Sequence, residues 1–156
     1  MAQKKKRPSG KTIQNRRASF DYQLGESLVV GLELNGREAK ALRLGHGQLR
    51  GAYVTIKGDE LWLINATING TNGIPIRAED QTRTRKLLAK RREINALIAA
   101  KQQGSTIIPL EILTRGRFIK LRLATGKGRR TYDKREELKR RDENRRIQQA
   151  MAAARP

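Results

Sequence analysis

The chain has 156 residues, enough for one domain, and carries 35 Lys or Arg against 15 Asp or Glu, a formal net charge of +20 that calls for a polyanionic partner. With 37% hydrophobic and only 4% aromatic residues, a core is affordable if part of the chain stays outside it, so a folded middle with loose ends is expected. Cysteine is absent and His46 is the sole histidine, which excludes disulfides, thiolate metal sites and Cys/His nucleophile pairs.

The first seventeen residues, Met1 to Arg17, hold seven Lys or Arg and no acid, and they lack the apolar section of a signal peptide. No apolar run later in the chain is long enough for a transmembrane helix, so a soluble cytoplasmic monomer is expected. From Ala18 to Ile76 the charge is close to neutral, with five basic and six acidic residues. Ser27 to Leu34 is β-branched and apolar and stops at Asn35-Gly36, which predicts a strand. Asn35 is a candidate cap for a short helix over residues 37–43 that Gly45 ends, placing Lys40 and Arg43 near one another at the surface. Gln48 to Lys57 and Glu60 to Ile68 read as two strands joined by the hairpin signal Gly58-Asp59.

After a turn-rich loop from Asn69 to Ile76, the spacing predicts a helix over residues 82–103. Leu87, Leu88, Ile94, Leu97 and Ile98 would form its apolar stripe, Asp80 or Thr82 its cap and Gly104 its stop. The opposite face would carry Arg83, Arg85, Lys90, Arg91 and Arg92. Ser105 to Thr114 and Arg117 to Ala124 are two further strands around Arg115-Gly116. In the second, Ile119, Leu121 and Leu123 share one face, and Phe118, Lys120 and Arg122 make the other wet and cationic. Thr125 to Arg130 reads as a flexible cationic hinge. Tyr132 to Ala154 is rich in helix formers and has charge pairs such as Glu137 with Arg141 and Asp142 with Arg146. Its only large apolar residues, Leu138, Ile147 and Met151, make no continuous stripe, so a tail that is disordered when free and helical on RNA is expected.

The fold class expected is mainly β with helices: an antiparallel barrel of the OB type with about three α-helices and a basic C-terminal tail. The expected division is a basic arm over 1–14, an RNA-binding barrel domain over 15–124 and the tail over 125–156. Catalysis is poorly provided for. His46 stands alone in a glycine-rich turn, and the acid pairs Asp59-Glu60 and Glu79-Asp80 suit turns and helix starts. Gly126-Lys127-Gly128 lacks the spacing of a phosphate-binding loop. Neither a metal nor a cofactor is expected, and RNA binding is the reading that charge and pattern favour.

Several segments in order resemble the small protein B family, the tmRNA-binding proteins of bacterial ribosome rescue. They are Asn15-Arg16-Arg17-Ala18 with Asp21-Tyr22, the run from Gly36 to Arg43, Ala52-Tyr53-Val54, the run from Arg83 to Leu88 with Arg91-Arg92-Glu93-Ile94, and Gly126-Lys127-Gly128 before Tyr132 to Glu136. The resemblance implies an OB-like body that grips the tRNA-like domain of tmRNA. It also implies a tail that enters the empty mRNA channel of a stalled ribosome, with small-subunit rRNA and, through alanyl-tmRNA, elongation factor Tu as partners. Carried over by motif, Asn15, Arg16, Arg17, Tyr22, Lys40, Arg43, Arg83, Arg85, Lys86 and Leu88 would contact tmRNA. Gly126, Lys127, Gly128, Tyr132, Asp133, Lys134 and Arg135 would serve the decoding centre. Val29 stands where the family commonly has glutamate, Phe20 where it has histidine and Gln81 where it has proline, while Ala39 and Ala41 replace larger or hydroxylated residues. The competing reading is a ribosomal protein or another OB-fold RNA-binding protein of translation, whose basic extensions would penetrate ribosomal RNA.

Overall fold

Turn chemistry punctuates the chain much as the residues dictate. The computed structural model describes residues 12–154, so most of the expected basic arm lies outside the described residues. The chain begins with β1 (Ile13–Gln14), α1 (Ala18–Asp21), β2 (Tyr22–Leu32), α2 (Gly36–Arg43) and β3 (Gly47–Gln48). It continues through β4 (Tyr53–Lys57), β5 (Glu60–Ile64), β6 (Thr67–Ile68), α3 (Ala78–Gln81), β7 (Arg85–Leu88) and α4 (Arg91–Gln102). It ends with β8 (Thr106–Leu113), β9 (Lys120–Gly128) and α5 (Thr131–Ala153). At the tip of the β4–β5 hairpin, Gly58 and Asp59 both have φ of 60°, the left-handed pair that matches strand twist in a two-residue turn. The Asn35 side chain accepts a 2.9 Å hydrogen bond from the Glu38 N–H, the expected cap of α2.

Seven strands form one antiparallel sheet in the order β1-β8-β4-β5-β7-β2-β9, and β9 also pairs with β8, so the sheet closes on itself. The inward side chains, among them Val30, Leu32, Leu61, Leu63, Leu87, Leu121 and Leu123, fill the interior. Helix α2 contributes Ala41 and Leu42 to the same core, and α4 contributes Ile94 and Leu97. With these side chains buried together the ring is a packed body and not an open channel, and replacing one such leucine by alanine is expected to cost about 2–5 kcal/mol. Register shifts bend two strands: one in β2 between Leu24 and Ser27, one in β8 between Pro109 and Glu111. The β8 irregularity also accommodates a proline that has no N–H to give to the ladder.

Several sequence expectations need correction. The fold is mixed α/β and not mainly β, with five helices where about three were expected, because the long run of helix formers in α5 and the short turns α1 and α3 add to α2 and α4. The long helix over residues 82–103 is instead α3, then strand β7, then α4. β7 fills the gap between β5 and β2, with Leu61 opposite Leu87, Leu63 opposite Arg85 and Gly31 opposite Leu88. A run of helix formers is overridden by sheet edges that need a partner. The change of period from 3.6 to 2 turns Leu87 inward and leaves Leu88 outside, 52% exposed. Arg85, expected on a basic surface, points inward with Leu87 and is 0% exposed.

The hinge over residues 125–130 is mostly strand, because β9 runs on to Gly128 opposite Tyr22. Gly126 is required by close approach, since a Cβ there would lie 2.9 Å from both the Gln23 carbonyl oxygen and Ile108 Cδ1. The tail, expected to order only on RNA, is one helix, α5. Its side chains are exposed throughout from Leu138 onward, as the missing apolar stripe implies. Of the two ion pairs expected along it, Glu137–Arg141 forms at 3.3 Å, while Asp142–Arg146 is not among the ion pairs of the described residues.

Candidate nucleic-acid interface

Glu38 in α2 organises the interior beneath the candidate surface. It is 1% exposed, and its carboxylate accepts from Arg83 Nε at 2.9 Å and from Arg85 Nε. The remaining Arg85 donors reach the carbonyls of Ala66 (2.9 Å), Arg83 (3.0 Å), Asp80 (3.1 Å) and Gln81 (3.1 Å). All of its N–H groups are thereby used. Burial pulls the Arg85 guanidinium below its usual pKa, and the hydrogen bond and charge of Glu38 oppose that fall. This network locks α2, α3 and β7 to one another. Arg83 and Arg85 therefore hold the body together, and Arg85 is withdrawn from the surface where the basic-face expectation had put it.

Two further expected contacts prove to be tied to the backbone. Asn15 Nδ2 donates to the Pro109 carbonyl at 3.0 Å and its N–H to the Leu110 carbonyl at 2.7 Å, pinning the N-terminal segment at the β8 irregularity. The Arg43 guanidinium donates to the carbonyls of Thr114 (2.8 Å), Gly116 (3.0 Å) and Arg117 (3.0 Å), clasping the β8–β9 connection. Lys40 is exposed in a separate shallow hollow beside Asn35 and Pro75.

The other expected residues fall into three surface groups. The first is an open groove of about 810 Å³ between β2, β7, β9 and the start of α4. Outward strand positions supply Val29, Lys86, Leu88 and Lys120, and Lys90 and Arg91 stand at the helix end. Lys86 is held 3.1 Å from Glu60, and Arg91 lies 3.4 Å from Asp59. Such exposed pairs are weak, worth about 0.2–1 kcal/mol, and are readily exchanged for phosphate. Exposed Val29 and Leu88 give apolar surface beside the cations. Lys120 was read only as part of a cationic strand face, and Val29 only as a departure from the family. The register that makes them groove residues is non-local.

The second group is a pocket of about 500 Å³ that gathers Asn15, Arg17 and Tyr22 from the N-terminal segment with Arg50 and Tyr53 from the start of β4. Arg50 was not singled out from sequence, and Tyr53 was named only within the Ala52-Tyr53-Val54 resemblance, not as a contact residue. The usable signal was an aromatic at a strand start two residues after Gly51, whose φ of +75° turns the chain. Arg16 is exposed beside this pocket in a neighbouring hollow.

The third group is the tail base. Lys127 and Gly128 are exposed at the end of β9, whereas Gly126 is buried. Lys134 of α5 lies 3.2 Å from Asp21 of α1, and both Lys134 and Arg17 sit 5.8 Å from the Phe20 ring centre. Arg135 is exposed. The side chains of Tyr132 and Asp133 lie outside the described residues. Glu137 is the second anchor, accepting from Arg140 at 2.6 Å, Arg141 at 3.3 Å and Arg129 at 3.4 Å.

The hydrogen bond from Arg140, with the neighbouring arginine charges, holds the Glu137 carboxyl below its usual pKa. A depressed carboxylate contributes above its unfolded pKa, and the contribution is lost as pH falls through the lower folded value. An NMR titration should therefore place the Glu137 midpoint below the ordinary glutamate value of about 4.3, with the base of α5 still helical at that pH. A midpoint at or above the ordinary value would contradict this anchoring.

The arrangement offers cations, apolar ledges and tyrosine rings, which suit phosphates and unstacked bases. No group of acids and histidine that could hold a metal occurs among the described residues, and no helix there is long and apolar enough to cross a membrane.

Comparison with known proteins agrees with this geometry. The family model described as SmpB protein matches residues 12–153. An SsrA-binding protein of Gloeobacter violaceus is 41% identical over 140 residues, 89% of this chain and 92% of that one. An SsrA-binding protein of Pseudomonas putida is 39% identical over 153 residues, 97% of this chain and 96% of that one. A solved chain described as "tmRNA-SmpB: a journey to the center of the bacterial ribosome" superimposes with a TM-score of 0.63 at 30% identity, covering 81% of this chain and 94% of its own. Extended similarity to curated relatives and a family match across nearly all described residues place this chain in the SmpB family of SsrA-binding proteins.

Proposed function

We propose that this chain is a non-enzymatic RNA-binding protein that binds tmRNA, the SsrA RNA, and brings it to stalled ribosomes for trans-translation. The observation that carries the reading is the β2–β7–β9 groove, where Lys86 and Lys120 flank exposed Leu88 and Val29 on a rigid body. Phosphates of a tRNA-like fold meet the lysines, and an unstacked loop base rests on the apolar ledge. Arg17, Tyr22 and Tyr53 provide a second contact at the N-terminal pocket, while Asn15, Arg43, Arg83 and Arg85 hold the body in shape. Stacking on one tyrosine contributes about 1–3 kcal/mol, more than one surface lysine is worth.

The closed sheet is read as a barrel of the OB type, a fold that presents sheet faces and loops to nucleic acid. The body grips the RNA, and α5 acts in the empty mRNA channel at the decoding centre, beside small-subunit rRNA. Gly126 to Gly128 connect the two parts, and Tyr132 to Arg135 form the acting segment. Delivery as alanyl-tmRNA brings in elongation factor Tu as a third partner. The protein works as a monomer in the cytoplasm.

Titration of the full chain with a tRNA-like transcript at several salt concentrations tests the reading. Each neutralised duplex phosphate adds about 0.9 to the slope of log affinity against log salt, so several contacts give a steep fall. A nearly flat response would overturn RNA binding by these cations.

A further inference from the structure

We infer that the tip of the β8–β9 connection, Arg115 to Phe118, is an additional RNA contact in which the Phe118 ring stacks on an unpaired nucleotide of the RNA seated in the adjoining groove. The inference rests on the RNA-binding reading above. Phe118 is 68% exposed, the most exposed of the large hydrophobic residues described. Scattered exposed apolar side chains are ordinary and would need no explanation by themselves. Three independent features set this one apart.

First, the turn that carries it is rigid. The side chain of Arg43 crosses from α2 to bond three carbonyls of the connection, and Gly116 takes a φ of +99° that gives the turn its shape. A ring held on a fixed turn loses little freedom on binding. Second, its surroundings are cationic. From Ile112 to Tyr132 the chain contains no acid, and the Arg117 guanidinium lies 5.5 Å from the Phe118 ring centre, leaving the other ring face for a base. Third, the tip continues the groove. Phe118 lies in the bend two residues before Lys120, the first residue of β9; both are exposed while Ile119 between them is buried, and Lys120 lines the groove with Val29 and Leu88. An RNA held by Lys120 thus has its next nucleotides within reach of Phe118. Stacking tolerates any base, and the arginines meet the flanking phosphates.

The test measures binding of the full chain to a tRNA-like transcript and, separately, to washed ribosomes. Phe118→Ala should weaken transcript binding roughly five- to hundredfold without changing the salt slope, since no charge is removed. Phe118→Trp should restore binding, and Phe118→Leu should not, because it keeps bulk without an aromatic face. Arg117→Ala should lower the salt slope by about 0.7–0.9. Unchanged melting temperatures would accompany all four, as expected for exposed side chains. If these variants bind the transcript like the parent while Lys86→Ala weakens it, the tip contact is wrong and the wider RNA reading stands. Loss confined to ribosome binding, or rescue by Leu, likewise overturns the assignment. If the parent chain itself ignores the transcript, both readings fall together.

Discussion

Glu38→Ala is expected to destabilise the fold by about 3–5 kcal/mol, since removing one partner of a buried pair leaves an uncompensated charge. Here the stranded charge is Arg85, which is fully enclosed and bonded to four backbone carbonyls that keep it from swinging out. For a chain of this size the loss corresponds to a fall in melting temperature on the order of 10 °C. Removing both charges, as Glu38→Leu with Arg85→Met, should recover only part of the loss, because it removes the stranded charge but leaves the carbonyls of Ala66, Arg83, Asp80 and Gln81 without their donor. Thermal melts of the two variants decide it. A Glu38→Ala protein that melts with the parent would mean that the network is ornamental. Because α2 also carries Arg43, the same substitution should loosen the β8–β9 tip, so RNA binding should weaken below the melting transition as well.

The second large effect concerns the division between body and tail. Cutting the chain after Arg130 removes residues 131–156, which include α5 and carry eight basic and five acidic residues, so only a small part of the net charge goes with them. Affinity for a tRNA-like transcript should stay within a few-fold of the parent, and the salt slope should hardly move. Tagging of stalled peptides in a reconstituted translation system should drop to background. Equal loss of binding and tagging would refute the division. The position of the cut matters. Ending the chain at Thr125 would also remove Gly126 to Gly128, the β9 partners of Tyr22 to Leu24, and would damage the N-terminal pocket for structural reasons.

Local chemistry is what the sequence made legible. Asn35 capping α2, Gly58-Asp59 turning the β4–β5 hairpin and the alternation from Phe118 to Leu123 each depend on residues a few positions apart, and each holds in the structure. Failures occurred where a distant partner decides. Arg83 to Leu88 contains good helix formers, and only the waiting edges of β5 and β2, with Glu38 drawing Arg85 inward, make it a strand. The same cause converts Arg85 from an expected surface cation into a core residue. The β9 extension depends on Tyr22 to Leu24 more than a hundred positions earlier, which no window around Thr125 can see. At the site, Lys86 and Leu88 were readable as residues but not as a groove, since Val29 and Lys120 join them only through sheet register. For the same reason Arg50 was not picked out, and Tyr53, although part of a family-like segment, was not placed beside Tyr22.

The order of α5 is a different matter. Its helix formers and the Glu137 cluster supply local stability, and Lys134 with Asp21 and Phe20 fastens its first turns to α1. A reading based on apolar stripes alone overlooks an anchor built from charge and one aromatic ring.

On the proposed reading, the cationic groove on the closed sheet recognises one folded, tRNA-like RNA. Crosslinking the full chain to RNA inside the cell and sequencing what is bound decides the matter. A dominant small RNA with a tRNA-like end is expected, crosslinked to the β2–β7–β9 groove and depleted when Lys86 and Lys120 are replaced by alanine. Crosslinks spread over ribosomal RNA with no such species, unaffected by those replacements, would rule out recognition through this groove.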